Sequence, residues 1–125
     1  MWFLLAHVLY KIYELTGKTT ISVEELERLL LYELWGKYRV AIYENSRQIE
    51  RDLKILQLFG YIKLQEKNVE LNLEELKAFE EDEIQGDPMM QNSRVYWTAL
   101  LREALDHSLK EYYNSQRASA MVKQR

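Results

Sequence analysis

The chain has 125 residues, a formal net charge of −3 and no cysteine. This length suits one domain with a substantial core, and the lack of cysteine excludes a disulfide framework, a thiolate metal site and a cysteine nucleophile. An intracellular, cytoplasmic location fits that composition.

Charge is sorted along the sequence. Residues 36–67 carry seven Lys/Arg and four Asp/Glu, whereas residues 68–84 carry one lysine and seven acids. The first stretch therefore has a charge of +3 and the second a charge of −6. Because salt screens exposed charges beyond about 8–10 Å, an acidic chain can still present a local basic surface to a polyanion.

The first predicted element is a helix over residues 2–16. Its apolar residues recur at helical spacing, and Gly17 supplies a natural end. The helix is apolar nearly all round, which predicts that it is covered on more than one side. Because Lys11 and Glu14 interrupt the apolar run, it falls short of the about 20 residues that a bilayer span requires, and we expect no membrane association.

A short strand and a second helix follow. Residues 19–21 suit a strand, and Ser22 with the glutamate three residues later forms a capping box at the start of a helix over residues 23–35. We expect Gly36 to end this helix. Residues 37–44 then connect it to the next element, and their middle fits an added helical turn as well as an extended strand.

The third predicted helix has two opposed faces. Asn45 or Ser46 caps it, and it runs to Phe59. At about 100° per residue, one side of this helix is aliphatic and the other is mostly basic. The aliphatic side carries Ile49, Leu53 and Leu56, and the opposite side carries Arg47, Arg51, Lys54 and Leu58.

A short β-hairpin with one buried face is predicted next. Gly60 supplies the left-handed residue that turns the chain out of the helix. Residues 62–65 and 69–71 alternate between apolar and polar side chains. We expect the turn at Lys67-Asn68, because asparagine tolerates positive φ.

An acidic helix and a linker follow the hairpin. Asn72 caps a helix that runs to about Ile84, and its acidic run, residues 80–83, is interpreted as a solvated face. Residues 85–92 contain a glycine and the only proline of the chain, so they are predicted to be a linker.

A long final helix is predicted over residues 93–114, and residues 115–125 are interpreted as a disordered basic tail. The helix carries an apolar stripe wider than a compact small domain needs, which points to a second surface that it covers. The residues of the stripe are Trp97, Leu100, Leu101, Ala104, Leu105, Ser108 and Tyr112.

No catalytic or metal-binding constellation stands out. Residues 17–20 mimic the end of a phosphate-binding loop, but Ile12 stands where that motif needs a glycine. His7 and His107 have no partners at metal-ligand spacing, so we expect His7 at the edge of the core and His107 at the surface. We predict no enzymatic activity, no cofactor and no metal.

The succession of three helices with a strand between the first two, followed by a hairpin, resembles the winged helix-turn-helix superfamily over residues 1–72. Within it, residues 45–62, NSRQIERDLKILQLFGYI, look like the recognition helix and the start of the wing. The fold class that this resemblance implies is mainly α with a small β-hairpin wing (α+β). Residues 1–84 then form a winged-helix domain with its following acidic helix, and residues 93–114 form an added C-terminal helix.

The resemblance implies a sequence-specific protein that binds double-stranded DNA and regulates transcription. Family members usually insert the third helix in the major groove and place the wing against the DNA backbone. By position, the implied base-reading residues are Ser46, Arg47, Gln48 and Arg51. The implied phosphate contacts are Lys54, Lys63 and Lys67.

The resemblance also implies a homodimer, since winged-helix regulators commonly pair through added terminal helices. A two-fold dimer places two recognition helices at half-sites about one helical turn apart. The alternative is that the final helix covers the first helix within one chain. The implied dimer interface consists of Trp97, Leu100, Leu101, Ala104, Leu105 and Tyr112.

Other functions remain open at this point. The basic face also fits an ordinary solvated surface, because Glu50 can pair with Lys54 one helical turn later. The main alternative is a winged-helix protein–protein interaction subunit of a replication, transcription or segregation complex. A weaker one is a ligand-sensing regulator with an aromatic pocket built from Tyr13, Tyr96 and Trp97.

Overall fold

The computed structural model describes residues 2–81 and 93–123, and the side chains of all of these except 93–99 and 118–123. The described chain is mainly helical with one small antiparallel sheet, which confirms the predicted α+β class. In chain order the elements are α1 (Trp2–Thr16), β1 (Thr20–Ser22), α2 (Val23–Arg28), a π-helical turn (Leu29–Glu33), α3 (Leu34–Tyr38), α4 (Ser46–Leu58), β2 (Ile62–Gln65), β3 (Asn68–Leu71), α5 (Leu73–Phe79) and α6 (Ser93–Lys123).

Helix α1 forms the centre of the core. Its bounds, Trp2–Thr16, match the prediction from the sequence. Residues 4–9 and Ile12 are all buried, because α4, α5 and α6 all pack against this helix. Gly17 ends it in the left-handed conformation, with φ of 76°, and donates its N–H to the carbonyl oxygen of Tyr13 at 2.7 Å.

The second helical stretch begins as predicted and ends later than predicted. Ser22 caps it, since its Oγ accepts the N–H of Glu25 at 3.0 Å. Gly36 lies inside α3, which ends at Tyr38, and Arg39 takes the left-handed conformation with φ of 57°. A glycine inside a helix costs about 1 kcal/mol but does not remove a backbone hydrogen bond. The burial of the preceding leucines stabilises the helix by more than this cost, so the helix continues through Gly36.

The connection from α3 to α4 covers residues 39–45 and is neither a helical turn nor a strand. Ile42 and Tyr43 are buried within it. A helical turn or a strand would have been held by backbone hydrogen bonds. This connection is instead held in place by the burial of two side chains.

The sheet has the strand order β1-β3-β2, and both pairs are antiparallel. Val69 of the central strand lies opposite Ile21 of β1 and Leu64 of β2. Val69 and Ile21 are buried, and Leu64 packs against the core at its edge. One face of this small sheet therefore covers the helices, as the alternation of apolar and polar residues predicts.

The hairpin turn lies one residue earlier than expected. Gln65 pairs with Asn68, so the two turn residues are Glu66 and Lys67. The positive φ, 56°, belongs to Glu66 and not to Asn68. Burial of Val69 fixes the register of β3 and places Asn68 within the strand. The left-handed position of the turn therefore falls on Glu66.

Helix α6 is longer than predicted. It continues to Lys123 and so includes residues 115–123, which the sequence analysis placed in a disordered tail. Residues 93–123 contain neither glycine nor proline, so nothing in the sequence interrupts the helix. Arg117 donates from Nη2 to the carbonyl oxygen of Leu15 at 3.2 Å, which fastens this part of α6 to the end of α1.

A buried ionic cluster joins α1 to the end of α5 and to α6. Nδ1 of His7 lies 2.5 Å from Oε1 of Glu80, and Nε2 lies 2.6 Å from Oδ1 of Asp106. Glu80 was expected on a solvated face but is buried, because it turns inward to the imidazole, whereas its neighbour Glu81 is exposed. Each ring nitrogen of His7 thus meets one carboxylate.

The pKa of His7 follows from these contacts. Burial lowers it, but the hydrogen bonds to Asp106 and Glu80 and the charges of both carboxylates outweigh that effect and raise it from 6.5 to about 9. At neutral pH the ring is therefore an imidazolium that donates one N–H to each carboxylate. Three helices are held together by one buried cation.

We predict that, because of this cluster, the free energy of unfolding falls at alkaline pH. The folded pKa of His7 exceeds the unfolded value, so its contribution is complete below pH 6.5 and is lost as the pH rises through about 9. The loss is roughly 3 kcal/mol of the free energy of unfolding. Urea unfolding of the wild-type protein between pH 6 and pH 10 measures this change.

Two variants isolate the contribution of His7. In His7→Gln the free energy of unfolding should be lower at pH 6 and change much less with pH. His107→Gln, at an exposed position of α6, should keep the wild-type pH profile. Equal pH profiles for wild type and His7→Gln would show that the cluster is not the cause.

Candidate functional site

Helix α4 has the two opposed faces that its sequence predicts. Its apolar side chains, Ile49, Leu53 and Leu56, are buried, and α1 is one of the elements that cover them. The opposite side is open to solvent. Its exposed residues are Arg47, Arg51, Lys54 and Leu58.

The start of α4 is held by two amide side chains. Asn45 is the cap, and its Oδ1 accepts the N–H of Gln48 at 3.0 Å. Gln48 returns the interaction, since its Oε1 accepts the N–H of Glu44 at 2.7 Å. The side-chain oxygen of Gln48 is therefore bonded to the backbone, and its amide N–H groups remain as donors. Ser46 is half-buried beside it.

A buried carboxylate ties α4 to the connection before it. Asp52 is 1 % exposed, and its Oδ2 accepts a hydrogen bond from the hydroxyl of Tyr43 at 2.7 Å. Burial, this hydrogen bond and the charge of Asp52 all raise the pKa of Tyr43, so it stays a neutral donor. This pair was not predicted from the sequence. Its signal was the position of Asp52 beside Leu53 and Leu56 on the aliphatic side of the helix.

The two arginines of α4 remain accessible. Nε of Arg51 lies 3.5 Å from Oδ1 of Asp52, but the side chain of Arg51 is 66 % exposed. Arg47 is exposed and makes no ion pair within the described part of the chain. Neither guanidinium is locked beneath other side chains.

The hairpin β2–β3 carries two exposed lysines, Lys63 and Lys67, and Lys67 shares a cleft with α4. Lys63 is exposed, and with the Gln65 amide oriented to satisfy both of its neighbours, Nζ of Lys63 donates to Gln65 at 3.1 Å while Gln65 donates to Glu70 at 3.2 Å. Lys67 is exposed at the turn, and its carbonyl oxygen accepts the N–H of Val23 at 2.8 Å. The tip of the hairpin is therefore fastened to the start of α2.

A small cleft of about 250 Å³ lies between α4 and the hairpin. Lys54 and Lys67 line it together with Glu50 and Glu66, over an apolar floor. Equal numbers of cations and anions face this cleft. Its attraction for a phosphate group is therefore weaker than two lysines alone would give.

A larger groove of about 750 Å³ runs between α2 and the start of α4. It is acidic, and burial together with the carboxylates of Glu50 and Glu24 raises the pKa of Glu27. This groove was not predicted from the sequence, because its residues come from two separate segments. Its charged lining residues are Glu24, Glu27, Arg28, Glu33 and Glu44.

The apolar stripe of α6 is used mainly within its own chain. Leu105 was predicted to lie in a dimer interface, but it is 0 % exposed, and α6 packs against α1 and α3. Within one chain Leu105 covers α1, which is apolar on several sides, and it leaves no exposed surface for a partner. Leu109, which the sequence analysis did not single out, is buried next to it.

The other predicted interface residues differ in their exposure. Leu101, Ala104 and Tyr112 are half-buried, and Leu100 is 39 % exposed. The side chain of Trp97 lies outside the described residues, as does that of Tyr96, so the proposed aromatic pocket has no described geometry. Between residues 100 and 117, the exposed side of α6 is otherwise polar, with Glu103, His107, Lys110, Glu111 and Asn114.

Two further findings concern membranes and metals. None of the helices in the described chain is both long and apolar enough to cross a bilayer. Among the same residues, no group of three or more His, Cys, Asp or Glu side chains could hold a metal ion. In the cluster of His7, the two carboxylates lie at opposite nitrogens of the ring. In comparisons with known proteins, no family model, curated protein or solved structure matches this chain.

Proposed function

We propose that this protein is a winged helix-turn-helix protein that binds double-stranded DNA in the cytoplasm and regulates transcription without catalysing a reaction. The observation that carries the proposal is helix α4, which turns three cations to solvent while its aliphatic face is buried. The order of helices and strands and the sheet order β1-β3-β2 support it, since a hairpin stands directly after this helix.

The proposed contacts divide into two kinds. The base-reading residues are on the first half of α4, where Arg47 and Arg51 are exposed and Gln48 keeps donor groups. Arginine can bridge O6 and N7 of guanine, and each such pair contributes about 1–3 kcal/mol of discrimination. Ser46 completes the base-reading set, and Lys54, Lys63 and Lys67 contact phosphates.

The salt dependence follows from the lysines. Three neutralised phosphates give a logarithmic slope of about −2.7, so the affinity falls roughly 40-fold between 50 and 200 mM salt. The carboxylates of Glu44 and Glu50 flank the cations, which predicts weak binding overall and the clearest signal at low salt.

Substitution of the two arginines tests the proposal. We expect Arg47→Ala and Arg51→Ala each to weaken binding to a preferred duplex, selected from a random pool at low salt, by about 5- to 150-fold. Fluorescence anisotropy at two ionic strengths measures this. Arg47→Ala is the cleaner variant, because Arg51 also faces Asp52.

Lys110→Ala on α6 is the matched control. It removes the same charge at an exposed position far along the chain from α4 and should leave the affinity unchanged. If the wild-type protein fails to bind any duplex at low salt, or if both arginine variants bind like the control, α4 does not read DNA.

A second candidate function is the protein–protein interaction subunit. The acidic groove between α2 and the start of α4 favours it, because four carboxylates face one arginine there and would attract a basic segment of another protein. DNA binding ranks first because the exposed arginines of α4 lie outside the groove lining.

We also propose that the protein forms a homodimer through α6. Among the predicted interface residues with described side chains, Leu100 is the most exposed. Light scattering should then give twice the 15.1 kDa of one chain, and Leu100→Glu should lower that mass. A single-chain mass for the wild type at micromolar concentration would contradict the dimer and leave DNA binding by α4 untouched.

A further inference from the structure

A cleft of about 400 Å³ lies between α4 and the connection that precedes it. Gln48 and Arg51 line it from α4, where their spacing of three positions puts them on the same side of the helix. The connection supplies the rest of the lining, residues 41–44. Two of the proposed base-reading residues therefore share one cleft with a segment outside their own helix.

The backbone of the connection fixes the orientation of the Gln48 amide. The N–H of Glu44 can only donate, so the atom that it meets at 2.7 Å is the side-chain oxygen of Gln48. A bidentate contact with adenine requires this oxygen to accept the N6 amino group of the base. With the oxygen held toward the backbone, Gln48 retains N–H donors for a partner.

A buried carboxylate holds the guanidinium of Arg51 by its inner nitrogen. Oδ1 of Asp52 lies 3.5 Å from Nε of Arg51, and Oδ2 of Asp52 accepts the hydroxyl of Tyr43 at 2.7 Å. The side chain of Asp52 is only 2 % exposed, so it is a fixed point for the exposed Arg51. A contact through Nε leaves the two terminal nitrogens, which carry four N–H groups in the guanidinium plane, for a ligand.

The hydroxyl of Tyr43 stays protonated in this group. Burial raises the pKa of Tyr43, the hydrogen bond to Asp52 and the charge of Asp52 raise it further, and the charge of Arg51 lowers it by less. Tyr43 therefore continues to donate to Asp52 at neutral pH. The three side chains form one connected group that ends in an exposed guanidinium.

We propose that Asp52 and Tyr43 are positioning residues that orient Arg51 toward guanine in the duplex bound by α4. This inference rests on the proposed function and assigns a base to it. Guanine presents two acceptors in the major groove, O6 and N7, which the terminal nitrogens of an arginine can bridge. Adenine presents a donor, its N6 amino group, beside N7, and this donor would face the donors of Arg51.

The acid in the lining of the cleft is Glu44, whose side chain is exposed. Opposite a base edge made of acceptors alone, its carboxylate would stay unpaired. The cytosine of a G·C pair presents an N4 amino donor in the same groove, and a carboxylate can accept from it. Two adjacent acceptors beside one donor, the pattern of G·C, therefore match the groups of this cleft in kind.

Duplexes that differ at one base pair test the inference at low salt. The position read by Arg51 is the one at which Arg51→Ala abolishes the preference for a base pair. There the wild-type protein should prefer G·C to A·T by about 5- to 150-fold. Asp52→Asn and Tyr43→Phe should each reduce this preference by about 2- to 12-fold, because a guanidinium that is free to rotate must be ordered on binding. The preference at the position read by Arg47 should not change.

Glu50→Gln is the matched control, because it removes the same charge from an exposed position of α4. It should strengthen binding to all duplexes alike and leave every base preference intact. Asp52→Asn also removes a negative charge, so an effect of charge alone predicts tighter binding with the same preference. The positioning role predicts a weaker preference at one base pair.

The contact between Arg51 and Asp52 can also be measured without DNA. In heteronuclear NMR spectra, the Nε–H of Arg51 should exchange with water more slowly than that of Arg47, which makes no ion pair within the described part of the chain. In Asp52→Asn this difference should disappear. Urea unfolding verifies that each variant is folded.

The outcomes separate the inference from the proposed function. If Arg51→Ala changes the preference at no position, if the preferred pair there is not G·C, or if Asp52→Asn and Tyr43→Phe keep the full preference, the inference is wrong while DNA binding by α4 stands. Equal exchange of the two Nε–H groups would also contradict it. If the wild type binds no duplex at low salt, the proposed function fails and the inference fails with it.

Discussion

Helix α4 packs against the core through three side chains that are almost completely buried, those of Ile49, Leu53 and Leu56. Burying three such side chains contributes roughly 5–9 kcal/mol, whereas the ion pair between exposed Arg51 and Asp52 contributes at most about 1 kcal/mol. Apolar burial therefore fixes the rotation of α4, and the cations face outward because the inner side is occupied. Everything proposed for this surface depends on that rotation.

Buried polar groups further restrict how the helices can pack against one another. The contact of Tyr43 with Asp52 fastens α4 to the connection before it, and the imidazolium of His7 fastens α6 and the end of α5 to α1. Among the described residues, every buried side-chain nitrogen or oxygen has a hydrogen-bond partner. Removing one member of such a group leaves a buried charge or donor unpaired, so these contacts hold one arrangement of helices more strictly than apolar packing alone would.

The sequence predicted the elements whose signals are local. The spacing of apolar residues, the cap at Ser22 and the glycine after α4 place α1, the helical stretch from α2 to α3, α4 and the hairpin within a few residues of their observed bounds. The errors concern partners that are distant in sequence. The inward turn of Glu80 requires His7, the burial of Leu105 requires α1, and the acidic groove requires two separate helices to meet. No periodicity within one segment encodes such encounters.

The surface of α4 combines opposite charges, so its partner must be identified by where it binds as well as by how strongly. The most direct measurement is the change in backbone amide NMR signals as a short duplex is added at low salt. The account predicts that the largest changes cover α4 and the tip of the hairpin, while α5 and the solvent side of α6 stay unchanged. Changes centred on α5 or α6, or none at all, would contradict the claim that α4 is the DNA-binding element.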